Sequence, residues 1–84
     1  MNLPLSVEDR THRIISEMFG IPVEEIDDDS SPDTILAWDS MAHINLILSL
    51  ESEFDLSLSL EDAMEMLSVG LIKTILGEIE AKRD

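Results

Sequence analysis

Residues 38–54 read Trp38-Asp39-Ser40-Met41-Ala42-His43-Ile44-Asn45-Leu46-Ile47-Leu48-Ser49-Leu50-Glu51-Ser52-Glu53-Phe54, and their pattern specifies a long apolar helix. Leu46, Leu50 and Phe54 recur every four residues, which is the spacing of one face of an α-helix. Asp and Ser are favoured helix-capping residues, so this helix is predicted to begin at or just after Ser40. Such a start places the Ser40 hydroxyl at the positive end of a helix dipole, where unpaired N–H groups favour a phosphate.

The apolar arc of this helix is wider than one buried stripe requires. Too many apolar side chains occur between positions 41 and 50 for all of them to face one neighbouring helix: Met41, Ala42, Ile44, Leu46, Ile47, Leu48 and Leu50. The helix is therefore expected to contact several elements, or to keep one edge for a ligand or partner.

The composition limits the chain to one small helical domain, which is taken to span residues 1–84. A chain of this size buries only about 60–65% of its surface on folding. Hydrophobic residues make up 44% of the chain and aromatic residues 4%, so the core is predicted to be aliphatic and filled by methionine. Such a core favours helices over a β-sandwich. The chain has no cysteine, which excludes disulfides, thiolate metal sites and cysteine nucleophiles.

The chain is strongly acidic, with a formal net charge of −14 from 19 acidic and 5 basic residues. Residues 14–72 contain no Lys or Arg. Such a field repels nucleic acid and anionic membranes and steers basic protein surfaces toward the chain, although solubility alone is an alternative explanation. No basic-then-apolar leader and no apolar run of about 18 residues is present, so a cytoplasmic protein is expected. Partners with basic surfaces are expected, without nucleic acid or membrane, and the protein is expected to be a monomer.

Four helices are predicted, over roughly residues 7–19, 40–54, 60–67 and 69–82. Ser6, Ser59 and Ser68 are the predicted N-caps of the first, third and fourth helices, and Gly20 is predicted to end the first. Residues 56–60 alternate apolar and polar as a strand does, but no second strand-like run exists to pair with them. The predicted fold class is therefore all-α, a small four-helix bundle with a long loop between helices 1 and 2.

The long connection over residues 20–39 is expected to be functional or to be held down on the core, as connections of this length usually are. Its apolar residues predict contacts with the core at several points: Ile21, Val23, Ile26, Ile35 and Leu36.

The acidic run at residues 27–29 raises the question of an EF-hand, whose loop needs Gly at the sixth position and Glu at the twelfth. Counted from Asp27, those positions hold Pro32 and Trp38, so the EF-hand is rejected and no dedicated metal site is predicted. Weak, non-specific binding of divalent cations by the clustered carboxylates stays open.

Ser40, His43 and Asp39 are the residue types of a hydrolase triad. However, close neighbours at a helix start create no oxyanion hole, and the chain has no Gly-x-Ser-x-Gly motif. No catalytic residue is therefore predicted, and His43 is interpreted as an exposed residue that adjusts partner contact. His12 is likewise predicted to lie on the surface. Taken alone, Ser40 is explained as an ordinary N-cap, which stabilises a helix by about 1 kcal/mol.

The run Asp39-Ser40-Met41, with Leu46, Leu50-Glu51 and Glu53-Phe54-Asp55 downstream, resembles the Asp-Ser-Leu motif and second helix of acyl carrier proteins. The resemblance extends to the order of helices and covers nearly the whole chain. It implies a non-catalytic carrier whose Ser40 bears 4′-phosphopantetheine, with acyl groups held as thioesters on the thiol of that arm. It also implies that Asp39 helps to place the arm and to bind the modifying enzyme. Met41 replaces the usual Leu, which is a swap of nearly equal volume.

The resemblance implies two groups of partners. One is a phosphopantetheinyl transferase (holo-ACP synthase), which uses coenzyme A and Mg²⁺. The other comprises acyl- or aminoacyl-activating ligases, synthases and transferases with basic surfaces. The residues predicted to bind partners are Trp38, Met41, Ile44, Glu51 and Met64. The residues predicted to line an acyl-chain pocket between helices 2 and 3 are Ile47, Leu50, Phe54, Leu58, Ala63 and Met66.

Alternatives stay open for several of these residues. Trp38 can instead be an apolar anchor that holds the loop end against the core, and Met41, Met64 and Met66 can be core filling. The cargo can be aminoacyl or peptidyl rather than acyl, because such carriers use the same Ser40 attachment and need no chain pocket. A protein-interaction module without any prosthetic group is a further alternative.

The chain departs from the resemblance in the early second helix. Carriers of fatty acid synthases usually display acids there, whereas this chain has Ala42 and Asn45 and regains acids only at Glu51 and Glu53. Trp before Asp-Ser is similar to stand-alone carriers of specialised pathways. We therefore hypothesise a dedicated carrier in fatty acid, polyketide or other specialised biosynthesis.

Overall fold

The structure, a computed structural model, describes residues 6–83. Its helices are α1 (Val7–Phe19), α2 (Ser40–Phe54), α3 (Leu60–Glu65) and α4 (Val69–Lys82), with a 3-10 turn at Val23–Glu25 in the connection from α1 to α2. No β-strand occurs within these residues, which confirms the predicted all-α fold with its long first loop. The lead-in Leu3-Pro4-Leu5 lies outside the described residues. In the part of the chain that the structure describes, every helix is too short or too polar to cross a membrane.

Local capping signals set the ends of three helices as predicted. Ser6, Ser59 and Ser68 each accept a hydrogen bond from the N–H three residues later, at 3.0, 3.0 and 3.2 Å. Gly20 ends α1 in the left-handed conformation, with a φ of 66° that glycine adopts without steric cost. The prediction for α3 is too long, because Met66 leaves the helical conformation and turns its side chain into the core.

The core lies between α1, α2 and α4. Leu46, Leu50 and Phe54 of α2 are buried, as their spacing predicts. The other buried apolar side chains come from α1, the loop, Met66 and α4: Ile15, Ile26, Ile35, Trp38, Met66, Val69, Ile72 and Leu76. Full burial of one such side chain contributes about 1.5–3 kcal/mol. None of the six residues of α3 is buried, so this helix adds little to the core.

The long connection is held to the core at fewer points than predicted. Ile26 and Ile35 are buried and Ile21 is half-buried. Leu36 is 100% exposed and Val23 is 46% exposed, so those two predicted core contacts are wrong. Val23 lies on the outside of the 3-10 turn, and Leu36 lies on the outside of a turn that the Ile35 carbonyl closes with a 3.0 Å hydrogen bond.

Backbone hydrogen bonds attach the loop to the first turn of α4. The Val69 N–H donates to the Ser30 carbonyl at 2.9 Å, and the Gly70 N–H donates to the Asp28 carbonyl at 3.0 Å. Both donors are among the N–H groups that a helix start leaves without intrahelical partners. A Cβ at Gly70 would lie 3.1 Å from the Asp28 Cβ, so glycine permits this close approach of loop and helix.

Lys73 of α4 adds an ion pair at the same place. Its Nζ lies 2.6 Å from Asp28 Oδ1, 3.9 Å from Glu8 Oε1 and 3.3 Å from His12 Nε2. His12 is therefore half-buried beside Lys73, and its predicted surface position is wrong. Because Lys73 donates a hydrogen bond to Asp28 and adds its positive charge, the pKa of Asp28 is lowered from its ordinary value.

We expect Asp28→Asn to reduce the dependence of stability on acid pH. A carboxyl whose pKa is lowered by folding stabilises the fold above its unfolded pKa of about 3.9, and this contribution disappears as the pH falls through the lower folded value. The wild type should therefore lose more stability than Asp28→Asn between about pH 5 and pH 2. Urea unfolding midpoints across this range measure the difference. Asp29→Asn, which alters a neighbouring acid outside the ion pair, is the control, and parallel curves for the wild type and Asp28→Asn would contradict the prediction.

Two arginines close the C-terminal end of α2. Arg10 of α1 pairs through Nε with the Glu53 carboxylate at 2.9 Å, and its guanidinium lies 4.1 Å from the centre of the Phe54 ring. Arg83, which follows α4, donates to the carbonyls of Phe54 at 2.6 Å and Asp55 at 3.0 Å. The last carbonyls of a helix lack intrahelical donors and attract positive charge, so both arginines fix this end.

Candidate functional site

Ser40 is the first residue of α2 and does not cap it. Asp39 is the N-cap, and its Oδ1 accepts a hydrogen bond from the Ala42 N–H at 2.9 Å. The explanation of Ser40 as an ordinary cap is therefore wrong. The side chain of Ser40 is exposed, and its hydroxyl takes part in none of the hydrogen bonds of residues 6–83.

The start of α2 leaves backbone donors beside this hydroxyl. The N–H groups of Ser40 and Met41 have no acceptor within the described part of the chain, because no helical residue precedes them. They point toward the N-terminal end of the helix, where the dipole favours negative charge. A phosphate bonded to the Ser40 oxygen would therefore lie next to free donors.

Trp38 anchors the chain immediately before this site. Only 2% of its surface is exposed, and its indole stacks on the Phe19 ring of α1 with the centroids 5.5 Å apart. The indole Nε1–H donates to His43 Nδ1 at 3.0 Å. The alternative of an apolar anchor is therefore correct for Trp38. The prediction that its side chain binds partners is wrong, because almost none of that side chain reaches the surface.

His43 bonds within the molecule and is not an exposed surface residue. It is half-buried, and its Nε2 lies 2.9 Å from the carbonyl oxygen of Ala63 on α3. Together with the bond from Trp38, this contact engages both ring nitrogens. The predicted exposure of His43 is therefore wrong. One feature of the sequence indicates the contact with Trp38. His43 follows Trp38 by five residues, so one turn at the start of α2 can bring the two side chains together.

Two cavities open on either side of His43 and Ile44. The first, which we call the Ser40 cleft, has a volume of about 570 Å³ and is lined by Pro32, Trp38, Asp39, Ser40, His43, Ile44 and Leu67. The second, which we call the α2–α3 groove, has a volume of about 230 Å³ and is lined by His43, Ile44, Ile47, Leu48, Leu60, Ala63 and Met64. Apolar side chains dominate the groove, so it suits an apolar chain better than a polar one.

The structure places the groove closer to the surface than the predicted acyl-chain pocket. Ile47 and Ala63 line the groove, as predicted. The other four predicted residues do not line it: Leu50, Phe54, Leu58 and Met66. Leu50, Phe54 and Met66 are buried in the core and Leu58 packs against it, so their role in an acyl-chain pocket stays a prediction.

The rest of the groove is lined by residues that the sequence did not assign to the acyl-chain pocket. Ile44, Leu48, Leu60 and Met64 line the groove and keep large exposed fractions. The wide apolar arc of α2, which cannot be buried against one helix, indicated that Ile44 and Leu48 stay available at the surface. Leu60 and Met64 lie one turn apart on α3 and face the same groove.

The exposed apolar side chains near Ser40 bear on the predicted partner contacts. Met41 is 69% exposed and Met64 is 65% exposed, so core filling is wrong for both, whereas it is correct for the buried Met66. Ile44 is exposed beside them. Contiguous exposed apolar surface marks an interaction site in soluble proteins. Met41, Ile44 and Met64 thus have the exposure that their predicted role requires.

Glu51 lies apart from these residues. Eleven positions along α2 separate it from Ser40, which is roughly 16 Å along the helix axis. It is half-buried, and its Oε2 accepts a hydrogen bond from the Leu58 N–H at 2.8 Å. This carboxylate holds the connection from α2 to α3, a role that its sequence position did not predict. Within residues 6–83, no group of three or more His, Asp or Glu side chains is arranged to hold a metal ion.

Comparisons with known proteins agree with this geometry. The model of a family described as "Phosphopantetheine attachment site" matches residues 9–78. The fold is similar to that of a solved structure described as an acyl carrier protein from Mycobacterium tuberculosis, with a TM-score of 0.77 and 26% sequence identity. The similarity covers 88% of this chain and 99% of that chain.

Proposed function

We propose that Ser40 is the serine to which 4′-phosphopantetheine is attached in this chain, which belongs to the family of phosphopantetheine attachment domains. Proteins of this family carry that group covalently on a serine and are carriers rather than catalysts. The observation that supports Ser40 is its exposed hydroxyl at the first position of α2, with Asp39 in the capping position. The thiol of the arm would then carry an acyl group as a thioester.

The other serines of the described chain support this choice by their surroundings. Six of them use the hydroxyl in hydrogen bonds within the fold: Ser6, Ser16, Ser30, Ser31, Ser59 and Ser68. Ser49 and Ser52 lie inside α2, and Ser57 lies in the connection to α3. Ser40 alone among these residues combines an unused hydroxyl with a helix start, where free N–H groups favour the phosphate of the arm.

The residues around Ser40 fit such an arm. Asp39 holds the first turn of α2 through the Ala42 N–H, so we propose that it fixes the orientation of the Ser40 Cα–Cβ bond. The buried Trp38 fixes the chain on the other side of Ser40. The attached arm supplies a flexible thiol, and tethering raises the effective concentration of the cargo at partner active sites.

The test is the mass of the protein after incubation with coenzyme A and a phosphopantetheinyl transferase. We expect one added arm per chain, located at Ser40. Trypsin is unsuitable because residues 14–72 contain no Lys or Arg, so one tryptic peptide would hold most of the serines. Cleavage after Asp39 and Glu51 isolates residues 40–51, and fragmentation of that peptide separates Ser40 from Ser49. An unmodified chain would instead favour an interaction module without a prosthetic group.

The α2–α3 groove supports acyl cargo over aminoacyl or peptidyl cargo. Its lining is apolar, with Ile47 and Leu48 on one side and Ala63 on the other. Each buried methylene contributes about 0.8 kcal/mol, so a chain that enters the groove stabilises the folded protein. A polar aminoacyl group gains no such contribution.

We expect the protein to melt about 5–10 °C higher with a medium-length acyl chain on the arm than with an aminoacyl group. Amide-linked analogues avoid loss of the thioester during heating. Ala63→Leu, which fills the groove, is expected to remove most of the difference. Equal melting temperatures for the two cargoes in the unaltered protein would favour the aminoacyl alternative.

Carrier proteins work with phosphopantetheinyl transferases and biosynthetic enzymes. We propose that Met41, Ile44 and Met64 contact these partners directly, while the net charge of −14 steers basic surfaces toward the chain. Residues 40–50 of α2 contain no Asp, Glu, Lys or Arg, so the contact at α2 is apolar. This pattern supports a dedicated carrier in fatty acid, polyketide or other specialised biosynthesis. Loading or extension by fatty-acid-synthase enzymes at the rate of a housekeeping carrier would reject the specialisation.

A further inference from the structure

The side chain of His43 joins three parts of the molecule that meet beside Ser40. Its Nδ1 accepts from the indole Nε1–H of Trp38 at 3.0 Å, and its Nε2 lies 2.9 Å from the Ala63 carbonyl oxygen on α3. The imidazole and indole rings stack with centroids 6.1 Å apart, and the indole stacks in turn on Phe19 of α1. A row of three rings therefore connects α1, the loop end and α2, and the bond to Ala63 extends this connection to α3.

The two partners of His43 require one protonation state. The indole N–H of Trp38 only donates and the carbonyl of Ala63 only accepts, so Nδ1 must keep its lone pair and Nε2 must carry the proton. The neutral Nε2–H tautomer therefore makes both bonds. The imidazolium ion carries a proton on each nitrogen, so it opposes its own N–H to that of Trp38 and loses this bond.

The position of α3 depends strongly on the hydrogen bond between His43 and Ala63, more than the position of a longer helix depends on any single contact. This helix has six residues, none of them buried. Across residues 6–83, the bond from His43 to Ala63 is the one hydrogen bond that reaches α3 from another helix. So short a helix is unstable by itself in water, so its position depends on contacts with the rest of the fold.

His43 also lies where it affects the surroundings of Ser40. It follows Ser40 by three residues on α2, which places the two on the same side of the helix. It lines both the Ser40 cleft and the α2–α3 groove. Movement of α3 away from His43 would therefore change the groove and displace Met64 from the apolar surface next to Ser40.

We infer that His43 is a positioning residue for the Ser40 site. In its neutral Nε2–H form it holds Trp38 and α3 in the arrangement that a transferase meets when it modifies Ser40. Protonation of the imidazole breaks the bond to Trp38 and so releases His43, together with its Nε2–H contact to α3, from the loop end. The inference rests on the proposed attachment at Ser40 and assigns His43 no contact with the reacting atoms.

The ionisable groups around His43 are few. Asp39 lies at the loop end, and α3 carries Glu61, Asp62 and Glu65. None of these carboxylates forms a salt bridge with His43 in the described residues. Phe19 of α1 stacks on the Trp38 indole, which stacks in turn on His43, and both of these neighbouring side chains are uncharged. The hydrogen bond from Trp38 is therefore the contact that protonation of His43 breaks, whereas the Nε2–H still donates to Ala63.

The first test uses the chemical shift of the Trp38 indole N–H, which gives one signal because the chain has one Trp. The signal is followed from about pH 8 to about pH 5, and protonation of His43 in the wild type is expected to shift it, because the imidazolium cannot accept from the indole. His43→Gln keeps an acceptor and a donor but does not titrate, so its indole signal should stay constant. His12→Gln, which alters the other histidine, should retain the wild-type shift. A pH-independent signal in the wild type would overturn the inference.

The second test measures arm attachment from coenzyme A as a function of protein concentration. His43→Leu removes both hydrogen bonds and is expected to raise KM about fivefold while kcat changes by less than about twofold, because Ser40 itself is untouched. The wild-type KM is expected to rise when His43 is protonated at low pH. His43→Gln should have the wild-type KM at pH 8 and should show no such rise at pH 5. A wild-type KM in His43→Leu, or a failure of His43→Gln to restore it, would overturn the inference.

The two tests separate this inference from the proposed function. If the wild-type protein gains no arm, the proposal for Ser40 fails, and the indole titration still decides whether His43 holds Trp38. If His43→Leu does not fold, the comparison of the wild type with His43→Gln across pH carries the kinetic test. Circular dichroism of each variant shows which case applies.

Discussion

Ser40→Ala is expected to abolish attachment of the arm without unfolding the protein. The variant lacks the oxygen that would bond to the phosphate, and the other serines of residues 6–83 are hydrogen-bonded, lie within α2 or lie in the connection to α3. The fold should be unaffected because Asp39, not Ser40, caps α2. Alanine is also the best helix former, so it is tolerated at the first helical position.

The measurement is the intact mass of each variant after incubation with coenzyme A and a transferase. Ser52→Ala, which alters another exposed serine of α2, is the matched control and should gain the arm as the wild type does. The two variants should have melting temperatures within a few degrees of the wild type, since surface substitutions usually change stability by about 0.5 kcal/mol or less. An arm on Ser40→Ala would show that the attachment lies elsewhere.

Trp38→Ala is expected to have the largest effect on stability. Truncation of a buried aromatic side chain costs about 3–5 kcal/mol, because the contacts are lost and a cavity remains. Here it also removes the stacking on Phe19 and the hydrogen bond to His43. A domain of this size has a total stability of about 5–15 kcal/mol, so the variant should melt roughly 15 °C or more below the wild type, or not fold at all.

One further variant measures the contribution of the indole N–H, and another serves as a control for a change at an exposed position. Trp38→Phe keeps an aromatic ring against Phe19 but loses the N–H, so a smaller loss is expected. Leu36→Ala alters a side chain that is 100% exposed two residues earlier and should change stability by about 0.5 kcal/mol or less. Thermal unfolding followed by circular dichroism compares all three. A Trp38→Ala variant as stable as Leu36→Ala would mean that the loop end is not anchored by the indole.

The features that the sequence predicted correctly are those with a local signal. A serine just before an apolar helical pattern favours a helix start, and the starts of α1, α3 and α4 followed from Ser6, Ser59 and Ser68. The four-residue spacing of Leu46, Leu50 and Phe54 likewise identified the buried face of α2.

The features that it missed depend on contacts between distant residues. Gly70 looks like a weak position in a helix until Asp28 is found against it, and His43 looks exposed until Trp38 and Ala63 occupy its nitrogens. The lining of the groove differs from the predicted set for a related reason. Helical spacing tells which residues share a face, but it does not tell whether that face meets α1 or α3.

The two ends of α2 differ in how they are held by the rest of the molecule. At the end near Phe54, Arg10 of α1 and Arg83 after α4 bind the helix, whereas no described residue forms a hydrogen bond or ion pair with the Ser40 side chain at the other end. The helix has 15 residues and is therefore about 22 Å long. The helix is therefore held rigidly at its C-terminal end. A cargo swinging from Ser40 would pivot about a stationary point, so its reach would be governed by the length of the arm and not by any bending of the protein beneath it.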